Sequence, residues 1–384
     1  MSDKSNNKIT KIDEIMNYLI EEQSQLTDLK PLFTQLHEQS SHVAVDTEFL
    51  REKTYNAKLC LVQLGIGEHQ YCIDVLAIED LSLLADLFAD QKILKLFHAA
   101  RQDMEVLYQT LGVMPKPIFD TQLAAAFNGL DMQIGYSALV QHRLDIELPK
   151  SQARTDWTRR PLSAVQLAYA ADDVAHLTAL YEISNGELEG QGKLAWYAHE
   201  IEDYYEVDRY MIDPAMAYKR LAGGGLKVAQ QYILKALAEW RESMAQLRDI
   251  PRTWVLRDEK LFDLAAQRPT DEAEILRMGV FGNKSSHRMA PIAAKLISQV
   301  EVGEQRLWDK VEPLDKTDKA VCSGMMKELA KLAQEHEVAQ GLLATRRDVE
   351  SLYRKGQSEK LLNGWREDLV GQPLLRFIES KAKE

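Results

Sequence analysis

Between Tyr18 and about Tyr181 the apolar positions come in short bursts with polar punctuation between them. Val43-Ala44-Val45 runs into Asp46-Thr47-Glu48-Phe49, a short run of period-two character. Leu59 to Ile66 and Gln70 to Val75 are β-rich runs parted by Gly67-Glu68-His69, a hairpin signal. Leu81 to Phe88 has helical spacing, and Ile93 to Phe97 reads as another strand. Gln102 to Leu111 is helical, with Met104, Val106, Leu107, Tyr108 and Leu111 as its apolar positions. Strands alternating with helices in this way predict a mixed sheet covered by helices. Beyond about residue 182 the strand signals fade. Val228, Tyr232, Leu237, Trp240 and Met244 recur near the helical period, and 320–384 continues in the same style. Gly223-Gly224-Gly225 and the stretch from Pro313 to Asp318 read as breaks. The expected layout is a polar tail over 1–14, an α/β domain over 15–200, a helical module over 215–303 and a second one over 318–384.

A chain of 384 residues is too long for one ordinary core, which agrees with several domains. No apolar run approaches the roughly 18 residues that span a bilayer, and the polar start MSDKSNNKITK lacks a secretory apolar region. Cys60, Cys72 and Cys322 are odd in number and lack metal-ligand spacing. A disulfide framework and a zinc site are therefore not expected, and a reducing compartment, the cytoplasm, is. The net charge of −12 argues against a protein that coats nucleic acid non-specifically. It does not exclude local basic surfaces. Residues 226–300 hold twelve Lys/Arg and nine Asp/Glu, a balance of +3, so the remainder of the chain carries −15.

The candidate chemistry is acidic. In Asp46-Thr47-Glu48 two carboxylates stand two apart on a predicted strand, so both project to one face. Such a pair repels unless a cation lies between, and carboxylate oxygens are the hard ligands that Mg²⁺ and Mn²⁺ prefer. Asp103 falls just inside the helix that follows the strand ending at Phe97, where a helix N-terminus favours negative charge. Ser163 and Gln166 fit a capping box, so a helix begins there, and Tyr169 and Asp173 lie on one face of it at i and i+4. Each piece alone has a plain reading: a chance pair, a solvated loop acid, an ordinary helix face. Four acids and a phenol in this order on these elements make a specific combination, and it suits a site for two divalent cations.

With these residues in place the sequence resembles the RNase D family, within the DEDD exonuclease superfamily and with the tyrosine variant of its third motif. The resemblance rests on VAVDTEFLREKTY followed by LCLVQLG, on LKLFHAARQDMEVL followed by IFDTQLAAAF, and on RTDWTRRPLSAVQLAYAADDVAHL, across roughly residues 15–185. It implies an RNase H-like exonuclease domain over 15–200, a mixed sheet flanked by helices. It implies two divalent cations, Mg²⁺ or Mn²⁺, ligated by Asp46, Glu48, Asp103 and Asp173, with Tyr169 orienting the attacking water. Asp172 adjoins Asp173, but the Tyr-x-x-x-Asp spacing selects Asp173. The segment LAEWRESMAQLRDIPRTWVLRDEKLFDLAAQRP resembles an HRDC domain, and LLATRRDVESLYRKG with LLNGWREDLVG resembles a more divergent second one. The whole implies a 3′→5′ exoribonuclease that releases nucleoside 5′-monophosphates. Its implied partner is RNA with a free 3′ end, tRNA precursors above all. No small-molecule cofactor and no membrane partner are implied, and a monomer is the default state.

Several residues are candidates for holding RNA. Phe49 beside the acids suits stacking on a terminal base, or a place in the core. Gln63 is a candidate for the terminal sugar, or a polar pair within the sheet. His98 at a strand end suits the scissile region, or a structural hydrogen bond. Lys150, Arg154, Trp157, Arg159 and Arg160 form a basic, aromatic stretch before the Tyr169 helix, suited to phosphates. Arg241, Arg248, Arg252, Arg257 and Lys260 are candidates for a face that guides RNA, while Trp240, Trp254, Leu261 and Leu264 read as core. Two rival readings stay open: a DNA 3′→5′ exonuclease of the same superfamily, and a non-catalytic RNA-binding protein.

Overall fold

The computed structural model describes residues 19–149, 155–282, 286–310 and 312–382. It divides into two compact units, one formed by the chain up to residue 50 with 59–206 and 314–384, the other by 51–58 and 207–313. Among the described residues no helix is long and apolar enough to cross a membrane.

The first unit is built on a six-stranded mixed sheet. Its strands are β1 (Leu19–Ile20), β2 (His42–Leu50), β3 (Lys58–Ile66), β4 (His69–Ile73), β5 (Leu94–Phe97) and β6 (Ile118–Asp120). Their order across the sheet is β1-β4-β3-β2-β5-β6. The hairpin expected at Gly67-Glu68-His69 is present: β3 and β4 pair antiparallel, with Gln63 opposite Cys72. Gly67 takes a positive φ of 59° in that turn, where a glycine carries no Cβ penalty. β3 is buried from Leu59 to Ile66, so it is a central strand with both faces covered. β2 pairs in parallel with β5 through His42, Val43 and Ala44 only. The carboxyl half of β2, with Asp46 and Glu48, therefore runs on beyond the end of β5.

Helices cover the sheet: α1 (Gln23–Asp28), α2 (Lys30–Gln39), α3 (Ser82–Ala89), α4 (Arg101–Leu111), α5 (Thr121–Phe127), α6 (Tyr136–Leu144), α7 (Ala164–Ala175), α8 (Leu177–Gly190) and α9 (Leu194–Glu202). The capping box at the start of α7 is formed as read. The Ser163 hydroxyl accepts from Gln166 N at 3.2 Å, and Gln166 Oε1 accepts from Ser163 N at 3.0 Å. Leu167, Ala170, Ala171 and Val174 bury the inner side of this helix.

The C-terminal helices α15 (Lys316–Glu335), α16 (Gln340–Leu343), α17 (Arg346–Lys355) and α18 (Gln372–Ala382) belong to the same compact unit as the sheet. The expected third domain is thus fused to the first. Buried Arg366 donates to both Glu200 oxygens, at 2.5 and 2.8 Å, and to the Leu342 and Leu343 carbonyls. Trp365 stacks on Trp196 with ring centroids 5.1 Å apart. Lys193 Nζ donates to Phe127 O and Glu337 O, and Ala339 N donates to Ala126 O. These ties are non-local, which is why helical periodicity gave no hint of them.

The second unit is helical: α10 (Val228–Leu247), α11 (Arg252–Val255), α12 (Asp258–Gln267), α13 (Glu272–Met278) and α14 (Ser286–Gln299). Its core joins Ile233, Leu234, Leu237, Leu261, Leu264 and Ile275. Gly223 is required where it stands, since a Cβ there would come within 2.6 Å of the Trp308 ring. Buried Glu242 of α10 accepts from Arg252 at 2.6 and 2.8 Å and from the Tyr55 hydroxyl. Asp249 accepts from the backbone N–H groups of Tyr55 and Asn56, at 3.0 and 3.2 Å. Residues 51–58, which continue directly from β2, are held in this way within the helical unit.

Candidate active site and metal centre

Strand alternation brings Asp46 and Glu48 to one face of β2, and α7 brings Asp173 to them. One carboxylate oxygen from each of the three lies within 4.8 Å of the others. Asp103 sits in the first turn of α4 and is buried. Its Oδ1 accepts from the Thr47 hydroxyl at 2.5 Å. Thr47 lies between the two acids, where alternation alone turns it away from them, and no sequence signal marked it as part of the site.

All four carboxyls are pushed above their ordinary range. Burial is the largest cause in each. For Asp46 the next is the charge of Asp173, and for Asp103 the charge of Asp46. Glu48 rises to about 10 through burial and then Asp46, Asp173 and Asp103. Asp173 rises to about 7, burial outweighing a hydrogen bond that Tyr169 donates to it. Among the described residues the causes that act in the opposite direction are hydrogen bonds, not cationic side chains. A crowd of oxygen donors with no positive partner among the described residues fits a divalent cation, whose charge would act against these shifts.

The ring of Tyr169 lies 6.2 Å from that of Trp157, which packs in a buried cluster with Cys60, Leu61 and Cys72. Trp157 is only 1% exposed. It backs the tyrosine and is no platform for a base, a correction to its reading as an RNA contact. Gln63 is fully buried in β3, so the expected reach to a terminal sugar is not available to it here. His98 is tied on both sides: Ile134 O accepts from its Nε2 at 3.0 Å, and Thr121 Oγ1 lies 2.9 Å from Nδ1. Burial lowers its pKa, and the structural reading is the one its contacts favour. Phe49 is half-buried at the end of β2. Lys150 and Arg154 lie outside the described residues.

Arg160 is part-buried. It donates to both oxygens of buried Asp74 and to the Cys60 and Trp157 carbonyls, fastening the segment before α7 to the sheet instead of facing phosphates. Arg159 remains exposed beside Asp156. A second residue missed in the sequence is Asp120. Its carboxylate accepts from Ala99 N and Ala100 N, each at 3.0 Å, and from Gln122 N at 2.9 Å. Ala99 has a φ of 60°, a strained value for alanine, at the entry to the helix that carries Asp103. Asp120 thereby sets where α4 begins. An Asp-Thr pair ending a strand is an N-cap signal that would have drawn attention to it.

In the helical unit, Arg241 is buried against Asp258 and the Leu256 carbonyl, and Arg252 is bound to Glu242. Neither is an open phosphate contact. Arg248 and Arg257 are exposed. Trp254, read as core, is 60% exposed, while Leu261 and Leu264 are buried as expected and Trp240 packs against the core.

Comparison with known proteins adds to this geometry. A family model described as 3′-5′ exonuclease matches residues 19–189, and an HRDC domain model matches 230–294. Ribonuclease D of Zymomonas mobilis is 37% identical over 352 residues, covering 88% of this chain and 89% of that protein. Ribonuclease D of Granulibacter bethesdensis is 35% identical, with 91% and 90% covered. The crystal structure of Escherichia coli RNase D, titled as an exoribonuclease involved in structured RNA processing, superposes with a TM-score of 0.82 at 28% identity. It covers 94% of this chain and 98% of that one.

Proposed function

This chain belongs to the ribonuclease D family of 3′→5′ exoribonucleases, and on that premise we propose that it trims the 3′ ends of structured RNAs, tRNA precursors among them, at a two-metal site. In this reading Asp46, Glu48, Asp103 and Asp173 hold two divalent cations, Mg²⁺ or Mn²⁺. The observation that carries it is the convergence of Asp46, Glu48 and Asp173, whose carboxyls are all raised by burial first and then by neighbouring carboxylates.

Bound cations would supply an acidified water and a counter-charge for the leaving 3′ oxygen. The protein's own part is positioning. Tyr169 commits its proton to Asp173, which leaves its oxygen as an acceptor that aims a water at the terminal phosphodiester. A phenol with an ordinary pKa of about 10 is a poor base at neutral pH, so its role is orientation. Thr47 and Asp120 fix Asp103 from two sides, one through its carboxylate and one through the start of its helix. Trp157 limits the swing of the tyrosine ring. In the helical unit, exposed Trp254 suits stacking with a base of single-stranded RNA, and exposed Arg248 and Arg257 suit its phosphates. The three cysteines are buried and form no disulfide among the described residues, which suits the reducing cytoplasm.

The experiment is mononucleotide release from a 3′-extended RNA and a matched DNA, with and without Mg²⁺ or Mn²⁺, for the wild type and Asp46→Asn. Metal-dependent release of 5′-monophosphates from RNA by the wild type alone is the expected result. Full activity in Asp46→Asn, or preference for the DNA, would overturn the site or the substrate respectively.

A further inference from the structure

Gln63 stands in the middle of β3, wholly buried, and both Oε1 and Nε2 lack a hydrogen-bond partner among the described residues. A buried carboxamide without partners is costly, and its chain neighbours Val62 and Leu64 show that the strand accepts apolar residues here. Its surroundings follow from the sheet. A Cβ built on Gly65 would lie 3.0 Å from Ala44 Cβ and 3.1 Å from Val174 O, so Gly65 and Ala44 are cross-strand neighbours on the face beneath α7. β2 and β3 are adjacent and joined by residues 51–57, too few for a parallel crossover, so they run antiparallel. Stepping by two along each strand keeps to that face and puts Gln63 opposite Asp46. On its other side Gln63 faces Cys72 of β4, and above it lies the apolar side of α7. Of these neighbours only Asp46 offers a carboxylate.

We propose that Gln63 is a positioning residue of the metal centre, whose amide donates to the Asp46 carboxylate in the metal-loaded protein and holds it in the ligating rotamer. The inference rests on the reading of Asp46 as a metal ligand. Directly opposed residues have Cβ atoms about 5 Å apart, a span that a glutamine amide bridges by side-chain rotation alone. A carboxylate is a strong acceptor for an amide N–H. The orphaned amide is then a group held in place for the loaded state, as outer partners of metal ligands commonly are.

The test is Mn²⁺ binding by titration calorimetry and Mn²⁺ electron paramagnetic resonance on the full-length wild type, Gln63→Leu, Gln63→Met and Asp46→Asn. Metal-free melting curves accompany it. The two apolar variants are expected to melt at or above the wild type without metal, since the unpaired amide is gone. They are expected to bind Mn²⁺ about tenfold or more weakly and to show an altered spectrum. Methionine adapts to the site if leucine disrupts folding. Wild-type Mn²⁺ affinity and spectrum in a folded apolar variant would overturn the proposal. Wild-type affinity in Asp46→Asn would overturn the metal-site reading itself, a failure distinguishable from the first.

Discussion

Replacing Glu48 with glutamine isolates what the crowding of acids costs the fold. The Glu48 carboxyl has its folded pKa at about 10, through burial first and then Asp46, Asp173 and Asp103, against an ordinary value of 4.5. Below pH 4.5 both folded and unfolded chains keep the proton, so the group costs nothing. Between 4.5 and about 10 the unfolded chain releases it and the folded chain does not. Stability then falls by about 1.4 kcal/mol per pH unit. At pH 7, two and a half units into that window, the cost is about 3 kcal/mol, and a neutral amide of the same shape removes it. In EDTA, Glu48→Gln is therefore expected to melt with the wild type at pH 4.5 and on the order of 5–10 °C above it at pH 7. Saturating Mg²⁺ narrows or inverts the order, because ligand at a hundred times its Kd stabilises only the competent protein, by about 2.7 kcal/mol. The assay is a thermal melt from pH 4.5 to 8.5, with and without metal. A difference that stays flat across pH, or a variant less stable than the wild type at pH 8 in EDTA, would refute the reasoning.

Four further outcomes follow from single contacts. Tyr169→Phe removes the donor to Asp173 and should slow turnover on short single-stranded RNA by about 10–100-fold while KM and melting stay near wild type; a loss confined to KM would speak against an orienting role. Arg366→Ala leaves Glu200 without its bidentate partner and should cost about 3 kcal/mol in denaturant unfolding of the first unit; a change below about 0.5 kcal/mol would mean that the C-terminal helices are not needed to hold it together. Tyr55→Phe should cost only about 1 kcal/mol, because Arg252 still holds both Glu242 oxygens, whereas Glu242→Ala should cost about 3 kcal/mol; equal losses would place the weight on the hydroxyl. Trp254→Ala should leave stability within about 0.5 kcal/mol and weaken single-stranded RNA binding by about 1–3 kcal/mol, measured by fluorescence anisotropy, and unchanged affinity would remove it from the RNA path.

What could be read from the chain alone was set by how local each signal is. The β2 run, the β3–β4 hairpin and the start of α7 are each declared by residues within a few positions, and the structure forms all three. With them come three of the acids, since alternation on a strand and i, i+4 on a helix are local rules. β1 and β6 have two and three residues, too short for any period to show. Trp254 sits in a four-residue helix, where an apolar residue every third or fourth position has no meaning, and so its sequence reads as core although the residue is exposed.

The residues that the sequence leaves unmarked or assigns to another role act across pairings that no local pattern announces. Thr47 serves Asp103 only because β2 lies beside the strand that leads into α4. Arg160 looked like part of a basic surface because its partner, Asp74, is far away in sequence and comes beside it only in the folded sheet. Gln63 reads as a contact for the terminal sugar or a polar pair within the sheet until the β2–β3 register sets it opposite Asp46. The acids themselves are thus legible as a motif, whereas the groups that hold them are legible only as geometry. A site whose charges repel one another before metal arrives depends on those holding groups to keep its shape. Substitutions at Thr47, Gln63 and Asp120 should therefore act chiefly on metal affinity, and the acids themselves on both affinity and rate.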